Sequence, residues 1–278
     1  MQTYQSQVDE AAAFLRQYMS SGSIGIMTGT GLGDSIQDLE VIAAVEYRNI
    51  PNFPVSTVQS HYGKLVVGKI YGQRVIAMQG RFHLYEGYSP LEVTFPIRVM
   101  QAMGIHTLVL SNAAGGINLE FSAGDIMLIA DHINLTGENP LIGPNIDEWG
   151  SRFPDMTEVY DPGLIRIAEQ CSELKGFSLQ KGVYIGLNGP SLETRSETRF
   201  LRHIGGDAIG FSTVLEAIAG VHAGMKILGL STITNINDPD HPEPATIAAI
   251  IEVAGKAAPR HAQIIQSLAR ELADHEIG

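Results

Sequence analysis

Apolar positions along this chain fall into two periods, and the switches between them outline the elements. Residues 8–19 carry Ala11, Phe14, Leu15 and Met19 at helical spacing, which predicts an opening amphipathic helix. The run 23–27 is a short buried strand. Residues 65–70 and 74–78, joined by Tyr71-Gly72-Gln73, predict a β-hairpin. Ser89-Pro90-Leu91-Glu92 has the layout of a capping box with proline in the first turn, so a helix follows to about residue 103, kinked at Pro96 and ended by Gly104. Strands are expected at 106–111 and 126–130, and again at 182–187 and 225–233. Helices are expected at 193–203 and, capped by Ser212 and Thr213, at 214–223. A long last helix carries a stripe at Ile247, Ile251, Ala254 and Ala258. Strand–helix–strand alternation with no linker-like shift in composition predicts one α/β domain over residues 1–278.

The polar residues gather where the strands end. After the strand at 74–78 comes Gln79-Gly80-Arg81-Phe82-His83-Leu84-Tyr85-Glu86-Gly87-Tyr88, a dense group for a chain only 17% charged. If strand geometry persists, Arg81, His83 and Tyr85 share one face and Phe82 and Leu84 the other. That face is a grip for an anion with a sugar beside it; the alternative is a solvated loop with an aromatic staple. The turn Thr28-Gly29-Thr30-Gly31-Leu32-Gly33-Asp34 lacks the Gly-Lys-Ser/Thr of a P-loop and the third glycine of a dinucleotide site. It is either a tight structural turn or a phosphate cradle built from backbone N–H groups. His61 sits in a proline-broken loop, and the small residues 112–118 follow a strand at the end where ligands of open α/β sheets bind. Residues 131–162 form a long irregular segment with Trp149 and Phe153, suited to a partner subunit. Residues 237–244 are acidic and proline-rich, a solvated surface in preference to a metal site.

The net charge of −12 argues against nucleic-acid or anionic-membrane binding, so an anionic substrate needs a local positive pocket. One cysteine, Cys171, excludes an intrachain disulfide framework and a multi-thiolate metal site. No apolar stretch is long enough to span a bilayer, and residues 1–10 lack a signal-peptide layout. A cytoplasmic protein is expected.

Seven ordered motifs carry a resemblance: the glycine turn 29–33, the stretch 80–88, Asn112-Ala113-Ala114-Gly115-Gly116, Gly124-Asp125-Ile126-Met127-Leu128-Ile129, Gly189-Pro190-Ser191-Leu192-Glu193-Thr194, Gly210-Phe211-Ser212-Thr213 and Ile233-Thr234-Asn235. Over nearly its whole length the chain resembles the trimeric purine nucleoside phosphorylases, the family that also holds methylthioadenosine phosphorylase. The resemblance implies a mixed, partly barrel-like sheet flanked by helices, and reversible phosphorolysis of purine (deoxy)ribonucleosides to free base and pentose 1-phosphate. It implies a homotrimer with phosphate as co-substrate and neither cofactor nor metal. Phosphate would meet Thr30, His61, Arg81, His83, the Ala113 amide and Ser212. Tyr85 and Phe211 would line the ribose, with Phe153 reaching in from a neighbouring subunit. The base would lie against Glu193 and Asn235, with Ala114, Gly115, Leu192 and Thr234 around them. Asn235, His83 and Glu193 would be the catalytic set.

A Glu193 carboxylate accepts from the N1–H of a 6-oxopurine, which predicts inosine and guanosine over adenosine. A methylthioadenosine or 6-aminopurine phosphorylase is the rival within the class, and a catalytically silent nucleoside- or phosphate-binding protein the rival outside it. The chain departs from the family in carrying Thr30 for serine, Leu192 for phenylalanine, Phe211 for methionine and Leu215 for proline. Ile247-Ala248 stand near the place of a histidine that bonds the ribose 5′-hydroxyl, and His241 is the stand-in.

Overall fold

The computed structural model describes residues 3–58 and 62–276. His61, expected among the phosphate ligands, lies outside the described residues. In chain order the elements are α1 (Tyr4–Arg16), β1 (Ile24–Thr28), β2 (Glu40–Glu46), β3 (Lys64–Ile70), β4 (Gln73–Gln79), α2 (Pro90–Ala102), β5 (Thr107–Gly116) and β6 (Ile126–Asn134). They continue as α3 (Pro162–Lys175), β7 (Gln180–Gly186), α4 (Arg195–His203), β8 (Ala208–Gly210), α5 (Val214–His222), β9 (Lys226–Ile236) and α6 (Ile247–Glu276).

The described strands form one mixed nine-stranded sheet in the order β2-β3-β4-β1-β5-β8-β7-β6-β9. β5 also pairs in parallel with β9, so β5, β8, β7, β6 and β9 close on themselves as a barrel while β2, β3, β4 and β1 extend it. β1 lies parallel between β4 and β5 with all five residues buried, as expected of a strand covered on both faces. Helices cover the sheet, and no helix among the described residues is long and apolar enough to cross a membrane. Cys171 lies buried in α3.

Local signals hold where they are complete. Ser89 and Glu92 close the capping box of α2. Tyr71 and Gly72 both have positive φ, 49° and 80°, the backbone twist that a two-residue hairpin needs.

Other expectations change. β2 has no sequence forecast, because its residues are largely exposed and do not alternate. The opening helix starts and ends earlier than 8–19, capped by Thr3, and Met19 packs beyond its end. β4 stops at Gln79 and Gly80 turns the chain with φ 108°, so the expected strand alternation through residues 81–85 does not persist. Arg81 and Phe82 are both buried, and Leu84–Glu86 is a 3-10 turn. β5 runs on through Gly116, because pairing with β8 and β9 holds small residues of low strand propensity in the sheet. β6 likewise extends to Asn134, and the irregular segment begins after it. The stripe of α6 starts at Ala254, while Ile247 is 73% exposed.

Candidate active site

Arg81 anchors one half of the site. Its side chain is 1% exposed beside an equally buried Glu216, 3.4 Å away. Nη2 donates to the carbonyls of Met27 (3.0 Å) and Ser111 (2.8 Å), tying β1 to β5. Nη1 donates to Ser212 Oγ (3.0 Å) and Thr213 Oγ1 (3.1 Å). Asn112 Nδ2 also donates to Thr213 Oγ1, at 2.8 Å.

These contacts overrule a local motif. Thr213 and Glu216 stand at the N-cap and third positions of α5, the spacing of a capping box, yet the Thr213 side chain makes no cap bond. Both side chains are drawn to the guanidinium instead. Thr213 adopts φ 75° and ψ −47° with Val214 N–H donating to Ser212 O at 2.8 Å, a strained γ-turn for a β-branched residue. The first turn of α5 is left without a side-chain cap beside Ser212, a setting whose backbone donors and dipole favour an anion. The expected capping by Ser212 and Thr213 is thus corrected. Behind Ser212 lies the Tyr184 hydroxyl, pushed up to about 12 by burial against the opposing effect of its Ser212 contacts. That hydroxyl fills the space a side chain at Gly210 would need.

His83 is oriented by Glu86. The ring Nδ1 lies 2.9 Å from Glu86 Oε1, which also accepts from the His83 N–H. Thr57 donates twice to Oε2, through N at 2.7 Å and Oγ1 at 2.6 Å. Burial raises the Glu86 carboxyl, but the His83 and Thr57 hydrogen bonds outweigh it and hold it at about 2. An ionised Glu86 accepts only, which makes Nδ1 the protonated ring nitrogen. Tyr85 stacks on the His83 ring at 4.5 Å and meets Phe211 edge-on at 6.1 Å. Burial, and then the Glu86 charge, raise its phenol above the usual range.

The glycine turn is explained by packing. A Cβ on Gly29 would lie 2.8 Å from Asn112 Cα, and one on Gly31, at φ 74°, 2.8 Å from Ala254 Cβ. The turn therefore sits wedged between β5 and α6, with Thr30 held half-buried in it. Ala113 lies within β5, paired in register with Thr232.

The other half of the site lies further along the same strands. Thr234 Oγ1 is 3.0 Å from Asn235 Oδ1 and 3.2 Å from the Ala114 carbonyl, to either of which it donates. Asn235 Nδ2 donates to Asn237 Oδ1 at 2.6 Å, and Asn237 Nδ2 to Glu193 Oε2 at 3.3 Å. Asn237 Nδ2 occupies space over Gly115, 3.0 Å from where a Cβ would stand. Glu193 immediately precedes Thr194, whose capping box with Glu197 starts α4. Burial raises its carboxyl above the ordinary 4.5, its own backbone hydrogen bond lowers it, and Glu197 adds to the rise. A cleft of about 340 Å³ opens here, with Leu192, Glu193, Arg195, Asn237 and Pro242 in its walls. From Asn112 to Gly115 is three strand residues, about 10 Å. Asn112 touches the anion half and Gly115 the amide half, so a nucleoside with phosphate under its sugar can bridge them.

Glu216, Tyr184 and Asn237 are absent from the expected site residues, and Thr213 is expected only as a helix cap and a motif residue. For Asn237 a signal existed: it follows Asn235 by two, the strand period that puts both on one face. Two expected residues stand apart from the described network. Phe153 is 85% exposed on the loop between β6 and α3. That loop is pinned by Arg98, whose guanidinium lies 5.0 Å over Trp149 and donates to His222 Nδ1 at 2.9 Å, and by Gln101 donating to the Trp149 carbonyl. His241 is exposed near Asp238, and no contact among the described residues joins it to Tyr85 or Phe211.

The family model of the phosphorylase superfamily matches residues 23–270, the span that holds this closed mixed barrel. The chain is 48% identical to purine nucleoside phosphorylase 1 of Bacillus subtilis, over 94% of this chain and 97% of that one. It is 43% identical to the bovine (Bos taurus) purine nucleoside phosphorylase, over 96% and 94%. Isoform 2 of the Schistosoma mansoni purine nucleoside phosphorylase, solved with cytosine and ribose-1-phosphate, superposes with a TM-score of 0.90 at 38% identity, over 96% of each chain. The chain belongs to the purine nucleoside phosphorylase family.

Proposed function

We propose that the chain catalyses reversible phosphorolysis of purine nucleosides to free base and pentose 1-phosphate, as a pentosyltransferase preferring 6-oxopurines. The observation that carries this is the Glu193–Asn237–Asn235–Thr234 network standing about 10 Å of strand from the Arg81–Ser212–Thr213 cluster. The ribose-1-phosphate bound by the Schistosoma relative supports the same class of product.

Breaking the C1′–N9 bond builds positive charge on the sugar and negative charge on the departing purine. Phosphate, held by Thr30, His61, Arg81, His83, the Ala113 amide and Ser212, lies under the ring, stabilises the cation and forms the new C1′–O bond. Asn235 donates toward N7 and steadies the leaving base, so binding strengthens where charge develops. Glu193 accepts from N1–H of inosine or guanosine. Adenosine offers no such proton, and one buried unpaired group costs about 1–3 kcal/mol, roughly 5- to 150-fold. Ala114, Gly115, Leu192 and Thr234 line the base, and Tyr85 and Phe211 the ribose, with His241 as the candidate for its 5′ end. This chemistry runs on phosphate as co-substrate and requires no cofactor.

The working form in this reading is a homotrimer, supported by a large exposed phenylalanine, Phe153, on a pinned loop. A cytoplasmic location belongs to the same reading, supported by a lone, unpaired thiol. Incubation with inosine, with and without phosphate, is the direct test. Hypoxanthine release that does not depend on phosphate, or no release, defeats the proposal.

A further inference from the structure

Asn237, a polar side chain in the base half of the site, is left unused by the roles above. Asn237 stands between Glu193 and Asn235 and bonds both. Its backbone is fixed as well, since Asn237 N–H donates to Gly116 O at 2.7 Å and its amide lies over Gly115.

Hydrogen-bond polarity along this row has a single consistent direction. An ionised carboxylate only accepts, so Asn237 must turn its NH₂ to Glu193. Its Oδ1 then faces Asn235, which must answer with Nδ2. That leaves Asn235 Oδ1 to accept from the Thr234 hydroxyl, the arrangement observed. If Asn237 were flipped, an amide oxygen would face the Glu193 carboxylate and two NH₂ groups would face each other. The row therefore presents an acceptor at Glu193 and, through the second N–H on Asn235 Nδ2, a donor at the other end. A 6-oxopurine is the complement, with N1–H to give and O6 and N7 to accept. A 6-aminopurine needs the reverse at N1 and at the 6-position.

We infer that Asn237 is a specificity-determining positioning residue, which transmits the charge of Glu193 to the amide of Asn235 and so locks the site in the 6-oxopurine polarity. The inference rests on the base-reading roles of Glu193 and Asn235 proposed above, and it adds a residue that never needs to touch the base.

Two substitutions at a half-exposed position test it. Asn237→Asp keeps the acceptor for Asn235 but sets a second carboxylate against Glu193, and such pairs share a proton. The other charged groups around Glu193 are Glu197 on α4 and Arg195, Asp238 and Glu243 in the cleft walls. None of these is altered by the substitution. The expected results are a fall of about tenfold or more in hypoxanthine-over-adenine affinity, measured by calorimetry with phosphate present, and an acid limb of inosine kcat/KM moved up by about one pH unit. Asn237→Ala removes the link without adding charge, and should lower the affinity ratio about fivefold while leaving the acid limb near its wild-type position. Phosphate KM should stay unchanged in both variants, since the anion half is built on other residues.

An unchanged affinity ratio in both variants overturns the inference. Glu193→Gln in the same titrations separates the two levels of the argument. If it collapses the ratio while both Asn237 variants leave it intact, only the role of Asn237 is wrong. If Glu193→Gln also leaves the ratio intact, the base-reading scheme itself fails. Calorimetry on the free bases reads these outcomes whatever the rate of turnover.

Discussion

Replacing Arg81 with methionine separates what that residue does for folding from its proposed role at phosphate. The substitution keeps an unbranched apolar stem and removes the guanidinium. Glu216, 1% exposed and 3.4 Å away, would lose that partner while staying buried. Breaking a buried pair from one side costs about 3–5 kcal/mol. The Met27 carbonyl keeps the Ser111 hydroxyl at 3.3 Å, but the Ser111 carbonyl loses its Arg81 donor, which adds about 1–3 kcal/mol for a buried group. The sum, about 4–8 kcal/mol, approaches the whole stability of an ordinary domain, about 5–15 kcal/mol. Adding Glu216→Leu removes the orphaned carboxyl but not the carbonyl deficit. Arg81→Met/Glu216→Leu should therefore recover at least about 2 kcal/mol over Arg81→Met alone, the sign expected when a buried pair becomes apolar. Urea unfolding at one fixed protein concentration measures this, because subunit association would otherwise shift the midpoint. Phosphate-dependent hypoxanthine release from inosine should be lost in both variants. A double variant no more stable than the single one would refute the compensating pair. A stable double variant with restored phosphate use would refute the role of Arg81 at phosphate.

Other outcomes follow from the same geometry. Burial holds the Glu193 carboxyl above 4.5, and the proposed reading of the base uses its ionised form. Inosine kcat/KM should therefore be full above that raised value and fall as pH drops through it; a limb below 4.5, or one that persists in Glu193→Gln, contradicts this. Glu86 has the opposite sign. Its folded carboxyl lies at about 2 against 4.5, so it contributes stability that is present above 4.5 and lost as pH falls toward 2. The full difference is about 3 kcal/mol, and screening on the exposed Thr57 side reduces it to about 1–2 kcal/mol. Glu86→Gln should remove that part of the acid destabilisation, and an unchanged urea midpoint at every pH from 3 to 7 would argue against the hydrogen-bonded carboxylate. Phe153→Ala should raise inosine KM about tenfold by loss of a desolvated aromatic contact, with phosphate KM unchanged. Sedimentation of the wild-type protein as a monomer would remove the basis for that effect.

The stretch around Arg81 shows how far the sequence was legible. Its alternation pointed to an anion grip beside a sugar, and His83, Tyr85 and Phe211 do meet. The geometry arises differently, though, through a glycine turn and a 3-10 segment. Features complete within a few residues were readable: the Ser89–Glu92 capping box, the Tyr71-Gly72 turn and the fully apolar β1. Their energies come from neighbours in sequence, so composition and spacing determine them.

Competition between distant groups lay beyond such reading. The Thr213–Glu216 spacing announces a helix cap, but a buried guanidinium from residue 81 outbids the local hydrogen bonds. Residues 112–116 look like a loop, yet pairing with β8 and β9 makes them strand. Asn237 looks like the first residue of a solvated acidic loop, and only the meeting of β9 with the segment before α4 makes it a bridge. Periodicity, turn chemistry and motif content along the chain suffice for the alternation of elements, the chemistry available at strand ends and the family. Which polar groups face each other depends on how the sheet closes. A buried charge or amide must find its partner wherever the closed sheet brings one, and that meeting has no period along the chain.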